Sequence, residues 1–359
     1  MKICIILGTR PEIIKLFPLI SLLKKKKINF FIIHTGQHKI FSMEGQFLKY
    51  FKIKPKYTLK TKKHFLSETI KKISKIYNKE EPDYIINQGD TNSVLASSIS
   101  FNNIKKKHMK LVHLEAGLRS FDKTMPEEIN RIIADHISDI LLIPTKFAYQ
   151  NLKNESIKEN KIFHVGNTIF DAIEKNKKKL NLDILKKLNL KSKKFYLLTL
   201  HRPDMVDKKN NLKKILNFFN SLSKKANIKI IFPIHPRTQS KIKKISSYKN
   251  ENFMFIKPCN YLDFLTLQKN AKLIFTDSGG IQEEACILKT PCITIRKNTE
   301  RPETIHLGVN IIADYSVKKI NLAIKKFSKK KFIWKNPYGV KVSEKILRIL
   351  IKDFKKDVK

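Results

Sequence analysis

Acidic residues follow two apolar runs that read as buried strands. YIIN leads into Gln88-Gly89-Asp90-Thr91-Asn92, and LVH leads into Leu114-Glu115-Ala116-Gly117-Leu118-Arg119. A third acidic locus, Met125-Pro126-Glu127-Glu128, opens a helical pattern. Read as carboxylates at three adjacent strand ends, these groups face a cleft rather than open water. Crowding there raises some carboxyl pKa values and supplies acid/base groups. Plainer readings stand beside this one. Asp90 also fits as a helix N-cap, and Glu127 with Glu128 suits the positive end of a helix. Local sequence leaves both readings open, and the recurrence of the pattern favours chemistry.

Other clusters suit an anion. Gly8-Thr9-Arg10-Pro11-Glu12 follows the apolar run KICIIL, where a sharp turn into a helix brings N–H groups and Arg10 together. Asp277-Ser278-Gly279-Gly280 follows LIFT, and a helix starting there presents backbone N–H groups suited to a diphosphate. Glu284 lies one turn further on, within reach of a ribose hydroxyl pair. His201 ends the run FYLLTLH, and His235-Pro236-Arg237 ends the next with a weaker claim. Arg301 lies in Thr299-Glu300-Arg301-Pro302-Glu303. Its planar fork fits a diphosphate, or a carboxylate that aligns this loop. The alternative is a structural pair with Glu300 or Glu303. On the first reading Arg301→Lys lowers turnover and leaves the melting temperature nearly unchanged.

The elements that position these residues repeat as strand, turn and helix. Apolar runs at 2–7, 29–35, 84–88, 111–115, 140–144 and 161–166 predict one parallel sheet covered on both faces. Runs at 195–201, 229–235, 253–257, 273–277 and 292–296 predict a second. The lysine- and asparagine-rich stretch 174–194 reads as a hinge or linker. The expected organisation is an N-terminal Rossmann-like domain over 1–173, carrying the carboxylates. A C-terminal Rossmann-like domain over 174–339 would bind the anion, and a helix over 340–359 would pack back on the first domain. No GxGxxG occurs, so a nicotinamide cofactor is not expected. No metal-ligand cluster is recognisable either.

A length of 359 residues and an apolar share of 42% suit two cores. The longest apolar runs fall short of the roughly 18 residues of a membrane span. Cys4, Cys259, Cys286 and Cys292 show no CxxC spacing, which suggests a reducing, cytoplasmic setting. The formal charge of +43 raises the question of nucleic acid. Only eight arginines accompany the many lysines, and seven of them sit in clustered motifs: Arg10, Arg119, Arg131, Arg202, Arg237, Arg296 and Arg301. Lysine-biased composition therefore explains the charge better than a nucleic-acid partner does.

The segments GTRPEIIKLFPLI, GDT, HLEAGLRS, MPEEINR, GNTIFDA, LHRP, DSGGIQEEA and TERPE occur in this order and span nearly the whole chain. The set resembles the non-hydrolysing UDP-N-acetylglucosamine 2-epimerase family. The resemblance implies a GT-B fold: two Rossmann-like, doubly wound α/β domains with parallel sheets facing a central cleft. It further implies a homodimer, no cofactor, and a UDP-sugar substrate held mainly by the second domain. By motif position, Arg10, Lys15, His201, Phe264, Ser278, Gly279, Gly280, Glu284 and Arg301 match substrate or UDP positions. Asp90, Glu115, Glu127 and His201 match positions needed for catalysis. Cys259 stands five residues before Phe264, where members often carry glutamine beside the uracil. The implied route eliminates UDP to give a 2-acetamidoglucal, then re-adds it with the proton on the other face. Rival readings are a hydrolysing epimerase, a glycosyltransferase, and an epimerase of a UDP-diacetamido-uronate.

Overall fold

Strands with apolar residues at successive positions must be covered on both faces, and the observed packing does this. In the strand Phe195–Thr199, Tyr196 and Leu198 join Phe219, Phe232 and Phe275 in one core. Phe195 and Leu197 join Ile231, Leu267 and Ile274 in another. The computed structural model describes residues 1–37, 41–61, 64–242, 248, 250–329 and 333–357.

The chain divides into two compact units, Met1–Lys175 with Pro337–Lys359, and Asn176–Asn336. In the first, the strands are β1 (Lys2–Leu7), β2 (Asn29–His34), β3 (Tyr57–Thr58), β4 (Tyr84–Gln88), β5 (Lys110–Leu114), β6 (Ile140–Ile143) and β7 (Ile162–His164). They form a parallel sheet in the order β3-β2-β1-β4-β5-β6-β7. In the second, β8 (Phe195–Thr199), β9 (Lys229–Pro233), β10 (Phe253–Ile256), β11 (Leu273–Thr276), β12 (Cys292–Thr294) and β13 (Asn310–Ile312) form another. Its order is β10-β9-β8-β11-β12-β13, again parallel.

Strand order reverses direction between β1 and β4 in one sheet and between β8 and β11 in the other. Such switch points open a crevice at the carboxyl ends of the strands. The motif residues after β1, β4, β8 and β11 therefore sit where this architecture binds ligands.

Two short strands, β3 and β13, add to those expected from sequence. The stretch 174–194 is not a bare linker. It contains the helix Asp183–Lys187, and Leu185 enters the same core as Phe195 and Leu197. The helix Val342–Asp357 belongs to the first unit. Asp171 accepts bonds from Val342 N (3.2 Å), Ser343 N (2.7 Å) and Ser343 Oγ (2.7 Å) at its start. Asp353 near its end accepts from Tyr84 Oη at 2.6 Å and Lys110 Nζ at 2.7 Å. No described helix is long and apolar enough to cross a membrane.

Gly166 permits the approach of the segment leading into that helix. Its φ is +98°, and a β-carbon there would lie 2.2 Å from the Tyr338 carbonyl oxygen. Gly166→Ala is expected to destabilise the protein by about 2 kcal/mol or more. Urea denaturation checks this, and an unchanged midpoint would show that the segment adapts at little cost.

Candidate functional site

At the first switch point the turn after β1 is built around a buried carboxylate. Glu12 accepts from Gly8 N at 2.7 Å, Thr9 Oγ1 at 3.1 Å and Thr91 Oγ1 at 2.6 Å. It thereby fastens the β1 turn to the β4 turn. Burial pushes its carboxyl up to about 7, against the opposing pull of these donors. Gly8 has no alternative here, since a β-carbon would fall 1.9 Å from Ser93 Oγ. Arg10 opens the helix Arg10–Lys25, and its guanidinium lies 5.5 Å from the Phe47 ring centre.

The next turn of that helix brings Lys15 down onto Glu115, with both side chains buried in an ion pair. Glu115 follows β5 with φ +64° and also accepts from Asn167 Nδ2 at 2.9 Å. Lys15 and Glu115 therefore meet, and Asn167 joins them. Asn167 was missed as a site residue, although its motif, GNT after β7, was a usable signal.

The structure shows which of the other acids cap helices. Thr91, not Asp90, caps the helix Asn92–Ile104, its Oγ1 accepting from Val94 N at 3.3 Å. Asp90 is half-buried; its Oδ2 lies 3.4 Å from Arg131 Nε, and its carbonyl accepts from Asn130 Nδ2 at 2.9 Å. Glu127 stands in the first turn of the helix Pro126–Ile137, as its pattern predicts, so this third locus lies ahead of β6 and not directly at a strand end. The structural load there falls on its neighbour. Glu128 is buried and accepts from Phe121 N (2.8 Å), Ser120 Oγ (3.0 Å) and Arg131 NH1 (2.9 Å).

The second switch point turns on Asp277, a residue read from sequence only as the start of a turn. Its Oδ2 accepts from both His201 N and Arg202 N at 2.8 Å, and its Oδ1 lies 3.0 Å from His201 Nδ1. Burial alone would raise this carboxyl; His201 and the two backbone donors outweigh it and hold it below the usual aspartate range. A carboxylate 3.0 Å from Nδ1 favours the proton on that nitrogen of His201 and leaves Nε2 for other chemistry. The imidazole remains 39% exposed.

Ser278 precedes the helix Gly279–Ile287, and its side chain makes no capping bond. A β-carbon at Gly279 would lie 2.5 Å from Glu300 Oε1, whereas at Gly280 the nearest atom is Ser278 Oγ at 4.0 Å. Packing demands glycine at the first position only. Glu284 accepts from Gln268 Nε2 at 2.5 Å. Arg301 is buried and pairs through Nε with Glu283, a carboxylate of the helix Gly279–Ile287 that the sequence reading did not name. Glu300 is taken by Arg296 NH1 at 2.9 Å and Arg202 NH2 at 3.6 Å. Three guanidinium groups thus surround this helix start. Phe264 and Cys259 pack against one core of the second unit. Burial and Asp263 push the Cys259 thiol up to about 11, so it stays uncharged.

Two doubly wound parallel α/β units, each with its polar cluster at a switch point, place the chain in the GT-B class. A family model described as UDP-N-acetylglucosamine 2-epimerase matches residues 21–351. The chain is 46% identical over 364 residues to the UDP-N-acetylglucosamine 2-epimerase of Methanocaldococcus jannaschii, covering 98% of this chain and 99% of that protein. It is 36% identical over 322 residues to the UDP-2,3-diacetamido-2,3-dideoxy-D-glucuronate 2-epimerase of Pseudomonas aeruginosa, covering 87% and 88%. A crystal structure of the Methanocaldococcus enzyme with UDP-GlcNAc and UDP aligns with a TM-score of 0.90, 46% identity, and 98% and 100% coverage. The chain belongs to the UDP-N-acetylglucosamine 2-epimerase family.

Proposed function

We propose that the protein inverts carbon 2 of UDP-N-acetylglucosamine to give UDP-N-acetylmannosamine, without hydrolysis. The observation that carries this is the division of chemistry between the units. The first holds buried or half-buried carboxylates, Glu115 on Lys15 and Asp90 on Arg131. The second holds a helix start flanked by His201 and three arginines. A carboxyl group removes the proton from carbon 2 while the bond from carbon 1 to the diphosphate oxygen breaks, leaving a glycal and UDP. The helix start, Arg10, His201 and Arg301 stabilise the departing diphosphate. Asp90, Glu115 and Glu127 offset the positive charge that develops on the sugar. A proton returned to the opposite face, with the diphosphate re-added at carbon 1, gives the epimer. Phe264 lies beside the uracil, with Lys15 and Glu284 completing the substrate contacts.

We read the working form as a cytoplasmic homodimer. The relative that acts on a diacetamido-glucuronate marks the principal rival substrate, and the higher identity to the Methanocaldococcus enzyme favours the N-acetylhexosamine. The test is incubation with UDP-N-acetylglucosamine, with products resolved by NMR. A mixture of the two UDP-sugars is expected. Free N-acetylmannosamine with UDP would make it a hydrolysing enzyme. Turnover of only the diacetamido-uronate would move the substrate assignment.

A further inference from the structure

His113 lies in β5, two residues before Glu115, and is fully buried. Its Nδ1 is 2.7 Å from Asp135 Oδ1, and its Nε2 is 2.7 Å from the carbonyl oxygen of Gly89. Neither partner can donate. A carbonyl oxygen only accepts, and Asp135 is ionised because its Oδ2 takes Arg119 NH1 at 2.7 Å and Gly117 N at 3.0 Å. A neutral imidazole would turn one lone pair against an oxygen at hydrogen-bond distance. Both ring nitrogens therefore carry protons.

The ring reaches one reactive loop directly, through Gly89, and the other through Asp135, which holds Gly117 N and Arg119. Gly89, with φ +78°, immediately precedes Asp90, and a β-carbon on it would lie 3.7 Å from Glu115 Oε2. Gly117 and Arg119 belong to the loop that begins with Glu115. We infer that His113 is a buried imidazolium and a positioning residue, tying the loop of Asp90 to the loop of Glu115. Its catalytic meaning rests on the reaction proposed above.

The charged groups around the ring stand on two helices and the loop after β5. Asp135 and His136 stand on the helix Pro126–Ile137, Arg119 on the loop after β5, and Glu155 at the end of the helix Lys146–Asn154. Glu155 takes Arg119 Nε and NH2 at 2.7 Å each, and lies 3.2 Å from His136 Nε2. Burial alone would lower His113; Asp135 and the Gly89 carbonyl outweigh it and raise the imidazole above its usual 6.5. Asp135 is likewise held below its usual range, as His113 and Arg119 outweigh its burial. The signs follow. The histidine contribution is complete below the ordinary histidine value and is lost as pH rises through the raised value. The aspartate contribution is present above the ordinary aspartate range. The network is thus intact near neutrality and fails on the alkaline side, where the bond to Gly89 goes first because Asp135 retains the Nδ1 proton.

The test uses full-length protein labelled with 15N-histidine, with the His113 signals assigned by their loss in His113→Gln. At pH 7 both ring nitrogens should be protonated, and the wild-type kcat should fall at high pH in step with their titration. A neutral ring at pH 7, or a titration unrelated to kcat, overturns the inference. His113→Gln and His113→Asn should lower kcat by about 100-fold with little change in KM, and the alkaline limb should disappear from their profiles. A folded variant with unchanged kcat overturns it equally. Should neither variant fold, assignment by elimination among the remaining histidine variants leaves the wild-type spectra and pH profile decisive. An enzyme inert toward UDP-N-acetylglucosamine would defeat the proposed reaction, while the NMR would still decide the imidazolium.

Discussion

Glu115→Gln should lower turnover by about 1,000-fold and leave UDP binding nearly intact. The change is confined to charge, since glutamine keeps the shape and still offers Lys15 and Asn167 a carbonyl oxygen. What is lost is the ability to take or return a proton. The buried Lys15 also loses its counter-charge. The stability cost should stay below the ~3–5 kcal/mol of a buried ion left without a partner, because the carbonyl oxygen remains. Calorimetry with UDP separates the roles. Glu115 lies in the first unit, whereas the helix start assigned to the diphosphate lies in the second. If UDP binding disappears together with activity, Glu115 serves the fold or the nucleotide rather than the proton.

Arg301→Ala should destabilise the second unit by about 3–5 kcal/mol and abolish turnover. Arg301 and Glu283 are both buried, so removing the guanidinium leaves a carboxylate without its main cation. Glu283 stands in the helix whose first turn is assigned to the diphosphate, so the loss reaches the site through that helix. Burial also revises the expectation for Arg301→Lys. A lysine that fails to reproduce the Nε contact now lowers the melting temperature as well as turnover. Thermal unfolding of both variants is the measurement. A melting temperature equal to wild type in Arg301→Ala would show that the pair contributes nothing net.

The strands were legible because parallel strands covered on both faces need apolar residues at successive positions, and KICIIL, YLL and LIF have them. Tyr57–Thr58, with two residues, is too short for such a run to stand out, and at Asn310–Ile312 the polar Asn310 interrupts the run. The turns after the strands were legible for a related reason. In a chain dominated by lysine, most of the few arginines and several of the glycines fall where a fork or a tight turn is needed. Partnerships were not legible. Glu12 meets Thr91 across 79 residues, and His201 meets Asp277 across 76. Both pairings exist because each sheet reverses its strand order between the two strands involved, which no local pattern states. Arg301 shows the same limit, since the need for a fork was readable but the pairing with Glu283 depends on how the helix packs. Glu127 and Glu128 differ by one residue and face different surroundings, so helical phase decided which of them became structural.

The most direct test of the central claim is turnover of UDP-N-acetylglucosamine in deuterated water, without added nicotinamide or metal, followed by NMR. The account predicts epimerisation with deuterium entering carbon 2 of both UDP-sugars, because the proton on that carbon is removed and replaced. Retention of protium at carbon 2 through repeated turnover, or a requirement for added NAD, would contradict the elimination and re-addition on which the assigned roles of Asp90, Glu115, Glu127 and His201 depend.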